Sequence, residues 1–210
     1  MLATVVVLAA GRSQRFGAAG HKLAQPLGAS SVLAQTLACA IASQLRVVVV
    51  TTARFVDVAR SSVAARDVIV MPEASSAAAA ELGMGTSIAA GVSASPDSSG
   101  WLVLPGDMPM VRPATLMAVA RALDQHPVAY AQHRGRRGHP AGFAAELYPE
   151  LAALSGDEGA RRIIGRYPAF AVDVDDPGIL VDIDTEEDLD ALRRGYVEPV
   201  PAKPGLRAPL

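Results

Sequence analysis

Short apolar runs alternate with helix-length stretches along most of this chain. Thr4–Leu8, Arg46–Thr51, Val68–Met71 and Trp101–Leu104 are β-branched or apolar runs of the length expected of buried parallel strands. Among them, Ser30–Ser43, Arg54–Ala65, Met84–Ser95 and Pro113–Gln125 carry apolar residues at helical spacing, and Pro113 stands where a helix starts. Such alternation predicts βαβ units, hence a mostly parallel sheet with helices on both faces. Ligands bind sheets of this kind beyond the carboxyl ends of the strands. The loop after Leu8 and the segment after Leu104 both fall there.

The second half departs from strict alternation. Val128–His133 reads as a strand, Arg134–Pro140 as a polar turn and Ala141–Ala144 as a returning strand, which predicts a small antiparallel excursion. Helices are expected at Ala145–Leu154 and Glu158–Tyr167. A strand-like Phe170–Val174, a turn at Asp176–Gly178, a second strand-like run Leu180–Ile183 and a last helix Glu186–Arg193 follow. Residues 1–194 are expected to form one domain. Residues 195–210 are Pro-rich and weakly patterned, and are expected to be loose and without a part in chemistry.

Composition narrows the class. Of 210 residues, 50% are hydrophobic and 19% charged, which supplies a sizeable core and argues against wholesale disorder. A formal net charge of −2 argues against general nucleic-acid binding. The single cysteine, Cys39, lies in an Ala/Leu-rich helical stretch and reads as a small packed hydrophobe. The apolar run Leu2–Ala10 has no basic stretch before it and leads into an Arg-bearing loop, so it does not read as a signal peptide. No apolar segment approaches a membrane span, and a cytoplasmic location is expected.

Candidate chemistry begins at the first strand's exit. Gly11 and Gly17 lie beside Arg12, Arg15 and Lys22 in a stretch long enough to wrap a polyphosphate. Glycine lets backbone N–H groups approach an anion, and the cations supply charge-assisted hydrogen bonds. The spacing is neither the dinucleotide GxGxxG nor the Walker A loop. A surface loop with solvated arginines is the competing reading. Next comes Gly106-Asp107-Met108-Pro109, where a carboxylate sits just past a buried strand. A nucleoside triphosphate arrives with Mg²⁺, which takes one or two carboxylates plus phosphate oxygens and water. Asp107 is the candidate ligand; the competing reading is a turn cap ahead of the Pro113 helix.

Three later segments carry further candidates. In Leu180–Leu189, alternation would place Asp182 and Asp184 on one face of a strand, with Thr185 or Asp184 as the cap of the following helix. Asp182 is then available as a second metal ligand, while Asp184 reads as local structure. Arg136, Arg137 and His139 suit recognition of an anionic or planar acceptor, or else a solvated hairpin tip in which His139 is an ordinary exposed side chain with no acid–base role. Asp157 opens a Gly-flanked turn that an N-cap explains in large part.

Taken in order, these segments resemble the MobA/MocA-like nucleotidyltransferases. Leu8-Ala9-Ala10-Gly11-x-Ser13-x-Arg15-Phe16-Gly17 with Lys22 is similar to that family's nucleotide loop, and Gly106–Pro109 resembles its metal-binding turn. Gly135–Pro140, Gly156–Arg161 and Asp182–Thr185 resemble its later motifs, so the likeness runs over about residues 4–192. Gly83–Ser87 is similar to a segment lining the family's nucleotide pocket. His21, before Lys22, departs from the Asp, Asn or Pro that relatives often carry.

The resemblance implies a Rossmann-like three-layer fold and Mg²⁺-dependent transfer of a nucleoside monophosphate from an NTP to a phosphorylated acceptor. Ala9-Ala10-Gly11 is nearer the cytidylyl than the guanylyl branch, which implies CTP as donor, molybdopterin as acceptor and a molybdenum hydroxylase as recipient of the product. It also implies Arg15 on the β- and γ-phosphates, Lys22 on the α-phosphate and Asp107 on the metal with Asp182. Leu8, Ala9, Ala10, Gly11, Arg12, Ser13, Thr86, Ser87 and Gly106 would surround the nucleotide. Arg136, Arg137, His139 and Asp157 would face the acceptor. The alternatives are GTP as donor, another acceptor such as a sugar phosphate or phospholactate, and a non-catalytic accessory protein that binds the molybdenum cofactor.

Overall fold

The first strand, β1 (Thr4–Ala9), is apolar on both of its faces, and a strand of that kind is stable only between two covering layers. The computed structural model describes residues 2–11, 13, 16, 20–73 and 83–196 and supplies both layers. In chain order the further strands are β2 (Pro26–Leu27), β3 (Ser30–Ser31), β4 (Arg46–Thr52), β5 (Val68–Met71), β6 (Gly100–Pro105), β7 (Val128–His133), β8 (Arg136–Ala144) and β9 (Ala169–Asp173). The helices are α1 (Val32–Ala42), α2 (Val56–Ser62), α3 (Met84–Ser93), α4 (Pro113–Ala122), α5 (Tyr148–Ala152), α6 (Arg161–Arg166) and α7 (Glu186–Gly195).

Seven strands form one sheet in the order β5-β4-β1-β6-β8-β7-β9, and β2 pairs β3 in a small antiparallel hairpin. The first four run parallel, with Val5 opposite both Val47 and Leu102. β8 runs antiparallel to β6 and β7, and β9 is parallel to β7, so the expected antiparallel excursion is present. Successive side chains of a strand point to opposite faces. Val5, Val7, Val49, Leu102 and Leu104 therefore pack with α1, α2, α4 and α7. Val6, Val50, Trp101, Val103 and Phe143 pack with α3, α5 and α6 on the other face. The result is a three-layer α/β sandwich, as the sequence pattern implies.

Two local expectations are corrected. The run Leu180–Ile183 is not a strand. The Asp176 side chain accepts the Gly178 N–H, Pro177 opens a 3₁₀ turn over Pro177–Leu180, and residues 181–184 continue irregularly. The Ile183 N–H goes to the Asp107 carbonyl at 3.3 Å, a loop partner, so no strand ladder is joined there. Likewise, the polar turn expected over Arg134–Pro140 is only Arg134-Gly135, with φ of 49° and 75°. Positive φ at both positions suits the twist of a two-residue hairpin. Arg136–Pro140 belong to β8, where a register shift between Tyr130 and Gln132 leaves room for a proline within the sheet.

Helix starts follow their chemistry. The Ser31 hydroxyl accepts the Ala34 N–H at the head of α1, and Pro113 opens α4. A reciprocal capping box links Thr185 and Asp188 at α7, which settles the cap on Thr185. Asp157 does not cap α6; that position is Ala160. The described end of the chain, Tyr196, packs on the core, and residues 197–210 lie outside the described residues.

Candidate active site

The chain leaves β1 toward β4 and β5 on one side, while β6 lies on the other. The crevice beyond the carboxyl ends of β1 and β6 is thus the point where strand order reverses, the usual ligand position in such sheets. The Gly106 N–H donates to the Leu8 carbonyl at 2.8 Å, and a Cβ on Gly106 would lie 2.9 Å from that oxygen. Only glycine lets the turn after β6 press this closely on β1. The turn is braced from behind by the Thr36 hydroxyl on the Gly106 carbonyl and by the Cys39 thiol on the Pro109 carbonyl. Cys39 has no other described role, and burial pushes its thiol up.

Three chain segments meet at Lys22. Its backbone N–H donates to Ser13 Oγ at 2.9 Å, which ties the opening loop to the 3₁₀ turn Lys22–Ala24. Its Nζ lies 2.5 Å from Asp107 Oδ2 and 2.9 Å from Asp184 Oδ1. Burial alone would lower the Lys22 pKa, but the Asp107 charge and the hydrogen bonds to Asp107 and Asp184 outweigh it, and the net shift is upward. Lys22 is therefore a fixed cation at neutral pH.

His21 does the work of a capping residue at this corner. Its Nδ1 accepts the Leu23 N–H at 3.3 Å, so its Nε2 carries the proton donated to the Gly11 carbonyl at 3.1 Å. The ring also meets Phe55 edge-on. Burial, opposed by the Gly11 contact, holds the His21 pKa below its ordinary value and favours this neutral tautomer. Asp or Asn at position 21 would cap the turn with an oxygen; histidine caps it with a ring nitrogen and reaches the opening loop as well.

Of the two aspartates in the segment after the 3₁₀ turn, Asp184 is the one whose carboxylate reaches Lys22. Because residues 181–184 form no strand, the alternation argument fails, and Asp182 is exposed while Asp184 reaches Lys22. The capping box satisfies the helix end through Thr185 and Asp188 and leaves the Asp184 carboxylate for the crevice. Asp176 delivers the segment. It is 2% exposed, and its carboxylate accepts from the Arg112 N–H, the Thr115 hydroxyl and the Gly178 N–H.

Other expected residues distribute around this centre. Arg12 and Arg15 lie outside the described residues. Leu8 and Ala9 end β1 at the crevice and Ala10 follows them, and a Cβ on exposed Gly11 would meet nothing within 4 Å among the described residues. Thr86 and Ser87 stand in the first turn of α3, with the Ser87 hydroxyl on the Gly83 carbonyl. This helix start is pressed against the turn at Asp157. The Gly85 N–H donates to the Gly156 carbonyl at 2.8 Å, and a Cβ on Gly83 would fall 2.4 Å from the Asp157 carboxylate. Two motifs distant in sequence are thus one structural unit.

Arg136 and Arg137 are exposed on β8, and the Arg137 guanidinium lies over the Tyr130 ring at 4.5 Å. His139 is not the exposed side chain of the sequence-based reading. It is half-buried, its Nδ1 has no hydrogen-bond partner among the described residues, and burial lowers its pKa against the pull of Asp107.

The donor set suits a divalent cation that brings its own ligands. Among the described residues, no group of three or more His, Cys, Asp or Glu converges as a metal site. Two carboxylates converge on the single Lys22 Nζ, and hard oxygen donors in that number match a cation completed by phosphate oxygens and water.

Comparison with known proteins shows which family the chain belongs to. Residues 5–171 match the MobA-like NTP transferase domain. The chain is 33% identical over 204 residues to the purine catabolism protein PucB of Bacillus subtilis (strain 168), a match covering 90% of this chain and 95% of that one. Among solved structures it resembles Rv0371c of Mycobacterium tuberculosis H37Rv, with 28% identity and a TM-score of 0.75 over 92% of this chain and 99% of that one. A manganese complex of Rv0371c matches with 27% identity and a TM-score of 0.72, over 93% of this chain and 100% of that one. No helix among the described residues is long and apolar enough to cross a membrane.

Proposed function

The chain belongs to the MobA-like NTP transferase family and is a nucleotidyltransferase, and from that premise we propose that it transfers CMP from CTP to molybdopterin with Mg²⁺ as the metal. The observation that carries this reading is the meeting of Asp107, Asp184 and Lys22 at the crevice where the sheet reverses strand order. An oxygen of the acceptor phosphate bonds to the α-phosphorus, and the bond from that phosphorus to the bridging oxygen breaks, its electron pair leaving with pyrophosphate. The attacking phosphate is already anionic near neutral pH, so no histidine base is needed. Such transfer asks the protein chiefly for positioning and charge neutralisation.

Asp107 and Asp184 would hold the cation, which when bound neutralises the triphosphate. Lys22 and Arg15 are assigned to the phosphates. Leu8–Ser13, Gly106, Thr86 and Ser87 are assigned to the nucleotide, and no described residue outside its chain neighbours lies within 4 Å of a Cβ built on Gly11, which supports backbone access there. Ala9-Ala10-Gly11 supports the cytidylyl assignment. Arg136, Arg137, His139 and Asp157 are assigned to the acceptor. The name of PucB concerns purine catabolism, and a molybdenum hydroxylase that oxidises purines, in the cytoplasm, fits as recipient of the product.

The test has two stages. Thermal shifts with CTP, GTP, ATP and UTP, each with Mg²⁺, should show a selective rise with CTP, because a ligand bound only to the native state raises apparent stability. Pyrophosphate release with CTP and molybdopterin should then fall about a hundredfold or more in Asp107→Ala, on the scale of losing one electrostatic stabiliser of the transition state. Full activity in Asp107→Ala, or no release in the native protein, overturns the proposal.

A further inference from the structure

We infer that Lys22 is the resident cation of the Asp107–Asp184 pair, and that its ammonium and a divalent metal occupy that pair in alternation rather than together. The inference rests on the metal and nucleotide assignments above and concerns the order in which the site fills.

The geometry is that of one position with two claimants. Nζ stands 2.5 Å from Asp107 and 2.9 Å from Asp184, where an oxygen-bound divalent cation would also have to stand to use both carboxylates. The three side chains are largely buried, 17% exposed for Lys22 against 12% and 31% for Asp107 and Asp184. In such a setting a divalent ion and an ammonium in contact repel strongly. A lysine side chain is ordinarily an ammonium at neutral pH, so a metal arriving at this pair meets a charge and not a neutral amine. It yields by moving.

The backbone restricts how it moves. Lys22 N–H is held by Ser13 Oγ, its carbonyl accepts the Gln25 N–H, and the His21 cap fixes the start of the turn. Departure of Nζ is therefore a rotation of the four-carbon stem about a fixed Cα. A free metal ion has nothing to offer the displaced ammonium. A metal–triphosphate complex does, because it brings a cation for the carboxylates and anionic oxygens for Nζ in one step. The pair thus rejects metal alone and accepts metal with triphosphate, and Lys22 reaches the phosphates only as the metal takes its place.

The experiment measures Mn²⁺ alone, without nucleotide, by the electron paramagnetic resonance signal of the free ion titrated with protein. Wild type should bind weakly. Lys22→Met should bind roughly tenfold more tightly or better, since a unit charge no longer shares the two carboxylates. Adding Asp184→Asn to Lys22→Met should abolish the gain. Arg54→Met, which removes a neighbouring charge felt by His21 without touching the pair, should change affinity less than about twofold, as expected of an exposed charge. Equal or weaker Mn²⁺ binding by Lys22→Met, or an equal gain from Arg54→Met, overturns the inference. Lys22→Gln serves as the second variant, with circular dichroism as the check on folding for each. The assay contains no nucleotide, so failure of the CTP or molybdopterin assignments leaves its outcome unaffected. Conversely, Lys22→Met should lose affinity for inorganic tripolyphosphate while gaining it for Mn²⁺, two movements of opposite sign that a misfolded site would not give.

Discussion

Asp176 is distant from the reacting groups, yet the structure makes it the residue on which the Asp184 segment hangs. Its carboxylate is 2% exposed and accepts three hydrogen bonds: from Arg112 N at 2.9 Å, Thr115 Oγ1 at 2.6 Å and Gly178 N at 3.0 Å. Two of these donors lie at the start of α4, so the same carboxylate also meets the positive end of that helix. Asp176→Ala leaves two backbone N–H groups and a hydroxyl facing a small void. Hydrogen bonds to a charged group contribute about 1.5–3 kcal/mol each, and partial rehydration makes the sum less than additive, so a loss of about 3–5 kcal/mol is expected. For a chain of this size that is a fall in Tm of about 6–20 °C. Asp176→Asn keeps a carbonyl acceptor but presents an N–H₂ to a donor, and should cost about half as much. Urea denaturation followed by Trp101, the chain's single and fully buried tryptophan, reads both variants. A loss below about 1 kcal/mol in Asp176→Ala would refute the bracing role.

Contacts elsewhere in the structure carry further outcomes. Gly83→Ala should lose about 2–4 kcal/mol in urea denaturation, combining overpacking with weakening of the Gly85–Gly156 hydrogen bond, because its Cβ would lie 2.3 Å from the Gly156 carbonyl group. Gly165→Ala, where a Cβ meets nothing within 4 Å, should be neutral or stabilising, and equal losses in the two variants would refute the steric account. Stability should also fall as pH drops below 6.5. His21 and His139 have folded pKa values lowered by burial, so the unfolded chain binds their protons first, and the loss levels off only below the folded values. His21→Asn, which retains a capping acceptor, should flatten the decline between about pH 7 and pH 5, the window of a histidine titration; an unchanged slope would show that His21 does not contribute.

What was legible in the chain follows from locality. β1, β4, β5 and β6 are apolar on both faces, so their runs announce themselves without reference to neighbours. The turn after β6 was legible because a carboxylate beside Pro and Gly has few other uses. β8 was half hidden, since Arg136–His139 are polar and pair chiefly across one edge, with β7, before the apolar Ala141–Phe143 enter the sheet. The contact of Asp184 with Lys22 is hidden in the sequence for a different reason. Its role depends on whether residues 180–183 find a strand to pair with, and they meet the loop at Asp107 instead. Period-2 alternation cannot report an absent neighbour. The capping box at Thr185 and Asp188 was a signal that could have been used, because a cap supplied by Thr185 releases the residue before it. His21 stands out in the sequence beside Lys22, but its double contact with Gly11 and Leu23 exists only in the folded corner.

Lys22 and Asp184 stand 162 residues apart in the chain. Synthesis proceeds from the N-terminus, and the four parallel strands together with Lys22 and Asp107 exist before the segment bearing Asp184 has been made. A chain that terminates early therefore carries a near-complete sheet with an incomplete cation pair. Only a polypeptide extended past its final 3₁₀ turn can close the arrangement. The contact between Lys22 and Asp184 is in that sense a report that synthesis has passed residue 184.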